Sequence, residues 1–260
     1  MEHFVWDVNP VLFDFGSVRI FWYGLLFATP ILLGTQLMKW IFAREGKSVD
    51  LVDAGFTYAF IGIVVGARLG HCLFYDPSYY LANPMKILAV WEGGLASHGG
   101  GLGVIIAFYF FAKKYKINLL WLLDRMTMPT IIFAFFVRIG NLMNSEILGR
   151  ETDVPWAIIF ARVDNIPRHP AQLYEAITYF FIFLLLFGVY KYSKNLKPGL
   201  LFGLFLSFVF IARLLIEFVK ERQASYGSEF FLNTGQMLSL PFLLIGLGLI
   251  VYSMKKSKTT

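Results

Sequence analysis

Charged residues are scarce in this chain, and their scarcity excludes an ordinary soluble protein. Of its 260 residues, 15% are charged and 57% are hydrophobic, whereas soluble domains carry about 25% charge. Apolar stretches of roughly 20 residues are long enough to cross a bilayer as helices. Seven such stretches lie near residues 19–40, 52–75, 91–112, 119–140, 171–190, 198–219 and 232–254. We therefore predict an all-α integral membrane protein with about seven transmembrane helices, forming a single domain over residues 1–260.

Cysteine is almost absent as well. The single cysteine, Cys72, excludes an internal disulfide and a cysteine metal cage, and a lone thiol on an apolar helix is typical of a small core residue. The chain has no Gly-rich nucleotide loop, no HExxH and no Walker motif, so we predict no metal and no cofactor. The net charge of +6 comes mostly from short connections between apolar stretches and does not indicate a nucleic-acid partner.

The distribution of lysine and arginine predicts the orientation in the membrane. Most of these residues lie in alternate connections, near 39–47, 113–125, 191–197 and 255–258. By the positive-inside rule these connections are cytoplasmic, so we predict a cytoplasmic C-terminus and an external N-terminus. Residues 1–16 lack the pattern of a cleavable signal, and we expect the first span to be retained. The long connection 141–170 is then an external loop, in which apolar Val154–Phe160 suggests an element resting on the membrane surface.

A cluster of polar residues follows the fourth apolar stretch. It contains Arg138, Asn141, Asn144, Glu146 and Gly149. Charged and amide side chains at membrane depth are costly, so where they occur they usually belong to a functional site. With the predicted orientation, other polar residues fall in the same outer half of the bilayer, namely Tyr23, Arg68, His71, His98, Arg213 and Glu217. We predict a polar, positively charged chamber that opens toward the outer leaflet.

Several members of this set also have purely structural interpretations. Tyr23 suits an aromatic belt at the membrane interface. Arg213 and Glu217 are four residues apart and can neutralise each other on one helix face, and Arg68 can extend toward the interface. His98 favours function more strongly, because it lies in the glycine-rich stretch 93–103. Close helix packing explains the glycines but gives no reason for an imidazole among them.

The residue types indicate chemistry on a phosphate ester. Guanidinium groups bind phosphate oxygens through paired hydrogen bonds, and the abundant phosphate carrier in a membrane is phospholipid. A histidine can take a proton from a nucleophile near neutral pH. No serine, cysteine or aspartate is framed as a covalent nucleophile, so the nucleophile comes from a second substrate. A transferase, or a hydrolase that uses water, is therefore predicted.

The same residues resemble the prolipoprotein diacylglyceryl transferase family. The matching motifs are Trp22-Tyr23-Gly24, Ser97 to Gly103, Arg138 to Arg150, Pro167 to Glu175, Arg213-x-x-x-Glu217-Phe218 and Gly235-Gln236-x-Leu238-Ser239. The resemblance implies a seven-span protein with its N-terminus outside. It implies transfer of the diacylglyceryl group of phosphatidylglycerol to the lipobox cysteine thiol of preprolipoproteins, with release of glycerol phosphate.

Site roles follow from this resemblance as expectations. His98, Arg138, Arg213 and Glu146 are the catalytic candidates: His98 would promote deprotonation of the thiol, and Arg138 and Arg213 would hold the lipid phosphate. Asn141, Asn144, Glu146 and Gly149 would shape the headgroup site with Tyr23 nearby, and Glu217 would orient Arg213. The chain departs from the family where Arg-x-Pro-Asp often follows Glu217-Phe218, because it has Val219-Lys220-Glu221-Arg222-Gln223 there. The rival interpretations are a non-catalytic flippase or transporter and a phospholipid hydrolase.

Overall fold

The computed structural model describes residues 3–193, 195–221 and 234–255. The helices within these ranges are α1 (Trp22–Arg44), α2 (Asp50–Phe74), α3 (Pro77–Ala82), α4 (Ser97–Lys114), α5 (Leu119–Met143), α6 (Ala171–Tyr192), α7 (Leu200–Ile216) and α8 (Thr234–Lys255). Among the described residues, five helices are long and apolar enough to cross a membrane, namely α1, α2, α5, α6 and most of α8, and α7 is a shorter apolar helix. A helical membrane protein is confirmed. The number of spans and their orientation stay predictions.

Within the described ranges, five short strands accompany the helices and were not predicted. They are β1 (Phe4–Trp6), β2 (Val11–Asp14), β3 (Arg19–Phe21), β4 (Ile158–Phe160) and β5 (Pro167–Arg168). β2 and β3 form an antiparallel hairpin, and β4 pairs with β1 in parallel and with β5 in antiparallel orientation. The described chain divides into two compact units, one made of Met1–Leu37 and Leu123–Thr260 and the other of Met38–Leu122. We call them unit 1 and unit 2. The prediction of a single domain stays a prediction.

Unit 2 is built on a pair of helices in backbone contact. Gly62, Gly66 and Gly70 of α2 face Gly99 and Gly103 of α4 so closely that a Cβ added at any of them would collide with the opposite backbone. Because lipid tails are as apolar as leucine, helices in a membrane associate through such close packing of small residues. Gly99 and Gly103 of the stretch 93–103 therefore serve helix packing, which was the structural interpretation of that stretch.

Adding one methyl group to this contact is expected to destabilise unit 2. In Gly103→Ala, the new Cβ would overlap the carbonyl oxygen of Gly62, at a cost of about 1–3 kcal/mol. Gly101→Ala is the matched control in the same helix, because nothing lies within 4 Å of its Cβ position. Thermal unfolding of the purified variants should show a lower midpoint for Gly103→Ala alone. Equal midpoints would mean that the two helices are not in backbone contact.

The third predicted span, near 91–112, was placed too early. Gly93 and Gly94 have φ of +86° and +71°, a conformation that excludes a continuous helix, and α4 begins only at Ser97. His98 is therefore the second residue of its helix and does not lie about seven residues inside it. The guanidinium of Arg68 holds the preceding segment by binding the carbonyl oxygens of Gly93 and Gly94.

Unit 1 contains the polar cluster together with a small apolar core beside it. This core comprises Leu142, Leu148, Ile158 and Phe160, packed against Trp6 and Leu173. β4 turns Ile158 and Phe160 inward, because successive side chains of a strand point to opposite faces. The predicted position of Val154–Phe160 on the membrane surface stays a prediction. Within the predicted loop 141–170, residues 141–143 also belong to α5. The sequence also predicts a second external connection, polar and near residues 220–231, most of which lies outside the described residues.

A buried carboxylate fixes the start of the helix that carries Arg213. Asp124 of α5 accepts hydrogen bonds from the backbone N–H groups of Gly199 (2.7 Å) and Phe202 (2.8 Å). The first N–H groups of a helix have no partner within the helix, so an acceptor there stabilises its N-terminus. Asp124 thereby links α7 to α5 within unit 1.

Candidate functional site

The end of α5 folds the predicted cluster into one hydrogen-bonded group. Arg138 and Asn141 are one helical turn apart, and Nη1 of Arg138 donates a hydrogen bond to Oδ1 of Asn141 at 3.1 Å. The amides of Asn141 and Asn144 both donate to Glu146 Oε1, at 2.9 and 3.2 Å. Ser145 and Ile147 have φ of +52° and +59°, and this tight turn brings Glu146 back toward the helix. The structure thus places these four predicted residues together.

Arg138 has a strong partner that the sequence analysis did not assign to the site. Its Nε lies 2.9 Å from Oε2 of Glu175 on α6, whose side chain is 1% exposed. One turn further along α6, buried Tyr179 lies close enough to Arg138 and Arg213 to interact with both electrostatically. Glu175 appeared in the sequence only as the end of a family motif. The available signal was a carboxylate in the first turns of an apolar helix, which is costly to bury without a cation.

Lys220 is a second cation at the same carboxylate. Its Nζ lies 3.5 Å from Glu175 Oε1 and 3.8 Å from Glu217 Oε2, and its side chain is 7% exposed. Glu217 thus lies near Lys220. Among the described residues Arg213 makes no ion pair, and the expectation that Glu217 orients Arg213 stays a prediction.

Acidic side chains accompany the cations of the predicted positively charged chamber in unit 1. Its three central cations, Arg138, Arg213 and Lys220, lie in the same unit as the carboxylates Glu146, Glu175 and Glu217. Paired charges of this kind order the side chains at low local dielectric.

Gly149 holds three backbone segments together. Its N–H donates to the carbonyl oxygen of His169 at 3.0 Å, and the next N–H, of Arg150, donates to Val219 at 2.8 Å. An added Cβ at Gly149 would collide with His169 and lie 2.9 Å from the Val219 carbonyl oxygen. Its position thus requires glycine for close packing, and this packing sets the position of Lys220, which bridges to Gly149.

Tyr23 lies against the helix that carries Arg138. A Cβ added at Gly140 would lie 2.9 Å from the Tyr23 ring, and this ring stacks on Phe27 with centroids 6.2 Å apart. Glycine at 140 therefore allows Tyr23 to approach α5 between Arg138 and Asn141. The structure supports the predicted proximity of Tyr23 to the cluster.

The loop residues Arg168 and His169 have identifiable partners. Arg168 donates to Asp164 at 2.7 Å, and this guanidinium lowers the pKa of the Asp164 carboxyl. His169 Nδ1 lies 3.1 Å from the hydroxyl of Tyr174, which also accepts a hydrogen bond from Trp156 Nε1 at 2.7 Å. Burial lowers the pKa of the His169 imidazole. Burial thus disfavours the charged form of this ring.

The remaining predicted residues lie in unit 2. Arg68 is buried, binds the carbonyl oxygens of Lys86, Ile87, Gly93 and Gly94, and has its guanidinium 5.1 Å from the centroid of the Tyr80 ring. Its donors therefore serve the fold of unit 2, and its predicted place in the chamber stays a prediction. His71 stacks on Tyr75 with centroids 5.3 Å apart. His98 is exposed near the start of α4, and its role stays a prediction.

Cys72 is expected to be dispensable. It lies in α2 and is 2% exposed, as a core residue should be. Cys72→Ala should retain at least about half of wild-type transfer activity, with a loss of roughly 1 kcal/mol or less in stability from the small cavity. Steady-state turnover of the purified variant measures this. A large loss of turnover with an unchanged melting temperature would show that the thiol takes part in the reaction.

Apolar helices and a buried network of arginine, lysine, carboxylate and amide groups define a multi-pass membrane protein with a site suited to an anionic headgroup. The sequence model of the prolipoprotein diacylglyceryl transferase family matches residues 10–252. The chain belongs to this family.

Similar proteins carry the name phosphatidylglycerol–prolipoprotein diacylglyceryl transferase. The protein of Tolumonas auensis is 50% identical over 252 residues, covering 96% of this chain and 98% of the relative. That of Chloroherpeton thalassium is 49% identical over 259 residues, covering 99% and 97%, and that of Bacteroides fragilis is 45% identical over 266 residues, covering 97% and 96%. These matches extend over nearly the whole of both chains.

Proposed function

We propose that this protein transfers the diacylglyceryl group of phosphatidylglycerol to the lipobox cysteine thiol of preprolipoproteins. Family membership over residues 10–252 and the names of its relatives support this activity. The observation that carries it is Arg138, a nearly buried guanidinium held by Glu175 and Asn141. Such a group has a fixed plane and further N–H donors for the oxygen atoms of a phosphate.

The reaction requires one bond to form and one to break. The cysteine sulfur attacks the glyceryl carbon that bears the phosphate, and the carbon–oxygen bond to the phosphate breaks. Its electron pair leaves with glycerol phosphate, whose charge Arg138 and Arg213 stabilise. A free thiol has a pKa of about 8.5 and only the thiolate attacks, so a base must accept its proton. His98 is the candidate base, with Asn141, Asn144, Glu146 and Tyr23 at the headgroup.

A non-catalytic flippase or transporter is not favoured. The relatives bear the name of a transferase, and a transporter needs polar residues along a path to both membrane faces. A hydrolase would use the same phosphate contacts with water as nucleophile, so only the acceptor distinguishes it from the transferase.

The proposed location is the bacterial inner membrane, with seven spans, an external N-terminus and a cytoplasmic C-terminus. The helices α4 and α7 complete the seven spans in this proposal, and residues 141–170 lie outside. The positive-inside distribution supports this orientation. A tag at the C-terminus should resist protease added to intact cells, and cleavage of that tag would invert the orientation.

The activity is tested directly with the purified protein, phosphatidylglycerol vesicles and a lipobox peptide. Mass spectrometry should detect a peptide heavier by one diacylglyceryl group, and a Cys→Ser peptide should remain unmodified. Binding of phosphatidylglycerol without peptide modification would favour the lipid-handling protein. Loss of phosphatidylglycerol that is independent of the peptide would favour the hydrolase.

A further inference from the structure

Glu175 is the most deeply buried carboxylate of the cluster in unit 1. Its side chain is 1% exposed, and each of its oxygens faces a different cation, Oε2 toward Arg138 at 2.9 Å and Oε1 toward Lys220 at 3.5 Å. A carboxylate in an apolar environment is unfavourable unless cations and hydrogen bonds compensate it. Two roles are consistent with this burial. Glu175 either neutralises Lys220 to maintain the fold or fixes Arg138 for the reaction.

The contacts of Arg138 set the orientation of its guanidinium group as well as its position. Glu175 occupies the Nε side of the guanidinium, and Asn141 accepts from Nη1. Two partners at different nitrogens, an ion pair with Glu175 of α6 at Nε and a hydrogen bond to Asn141 at Nη1, restrict the position and the rotation of this planar group. The N–H donors that remain are thereby aimed in one direction. The guanidinium plane must be set before the phosphate binds to these N–H donors, because a displacement of the donors by about 1 Å can lower the rate about a hundredfold.

We infer that Glu175 is a positioning residue for the reaction, acting through Arg138, and that its contact with Lys220 is secondary. This inference rests on the proposed function. Lys220 comes from the segment after α7, and its Nζ donates a long hydrogen bond of 3.5 Å to Glu175 Oε1. Its flexible ammonium group accepts many partner geometries, whereas a guanidinium requires one. The orientation of Arg138 is consequently the property that depends on the length and charge of Glu175.

Three variants separate the two roles. Glu175→Gln removes the charge and leaves Lys220 as a buried cation with one carboxylate fewer. Lys220→Met removes that cation, and the double variant Glu175→Gln/Lys220→Met removes both charges, which commonly preserves a fold. We expect Glu175→Gln to lower kcat about a hundredfold and to lower the melting temperature. In the double variant the melting temperature should recover, whereas kcat should stay about a hundredfold below that of Lys220→Met.

A fourth variant provides the comparison if Lys220→Met is itself inactive. Glu175→Asp keeps the negative charge for Lys220 but is shorter by one methylene, so it cannot reach Nε of Arg138 in the same geometry. We expect a melting temperature close to wild type and a kcat lower by about tenfold or more. Wild-type kcat in Glu175→Asp would overturn the inference. So would a double variant whose kcat lies within threefold of Lys220→Met. Failure of the wild type to modify the peptide would instead overturn the proposed function.

Discussion

Replacing Arg138 with lysine is expected to lower kcat/KM for transfer by at least about a hundredfold. Lysine retains the charge but presents a single point donor group, so it cannot contact Glu175 through Nε and Asn141 through Nη1 at once. The ammonium group has no planar fork of donors, so fewer oriented N–H groups would bind the substrate phosphate. Steady-state transfer to a lipobox peptide, with phosphatidylglycerol varied, measures the loss.

The control for this substitution lies on the surface of the same unit. Arg162 pairs with Asp7 at 3.0 Å, and both side chains are largely exposed, so Arg162→Lys should change activity and stability very little. Near-normal turnover of Arg138→Lys would remove Arg138 from the phosphate site. A melting temperature that falls with activity in Arg138→Lys would assign the loss to folding.

Gly149→Ala is expected to impair both stability and transfer. The added Cβ would lie 2.5 Å from the Cβ of His169 and 2.9 Å from the Val219 carbonyl oxygen, and it would also overlap the His169 carbonyl oxygen. The backbone must then separate, at a cost of about 1–3 kcal/mol, and the hydrogen bonds of Gly149 and Arg150 to these segments would lengthen. Because the same contact sets the position of Lys220, transfer should fall at least about tenfold. Thermal unfolding and turnover of one preparation measure both effects.

Gly188→Ala is the matched control for this prediction. Gly188 lies in α6, and nothing is within 4 Å of its Cβ position. Alanine there should be neutral or stabilising by up to about 1 kcal/mol, because glycine is a poor helix former. If Gly149→Ala behaved like Gly188→Ala in both measurements, the three backbone segments would not be packed as described.

Sequence patterns located the long helices well because membrane spans are local features. Charge depletion over 20 residues is detectable without knowledge of the rest of the chain. The strands are different: β1 and β4 are three residues each and pair across about 150 positions, so no local signal predicts them. The start of α4 was misplaced for a related reason, since Arg68 fixes the segment before it from a neighbouring helix.

The site was predicted in part. The cluster Arg138, Asn141, Asn144 and Glu146 is compact in sequence, and its residues also meet in space. Glu175 and Lys220 were not assigned to the site because only the tertiary fold brings Glu175 to Arg138 and Lys220 to Glu175. Helical spacing and the family resemblance both suggested that Glu217 pairs with Arg213. In the structure the Glu217 N–H donates to the carbonyl oxygen of Arg213, while its carboxylate lies 3.8 Å from Lys220 Nζ, a residue that the spacing argument did not include.

The most direct test of the account follows both halves of the lipid in one reaction. Phosphatidylglycerol would carry one label in its acyl chains and another in its phosphate, and the purified protein would be incubated with a lipobox peptide. The account predicts that acyl label appears on the peptide cysteine while an equal amount of phosphate label appears in free glycerol phosphate, each only when the thiol is present. Release of phosphate label without the peptide, or phosphate label retained on the modified peptide, would contradict it.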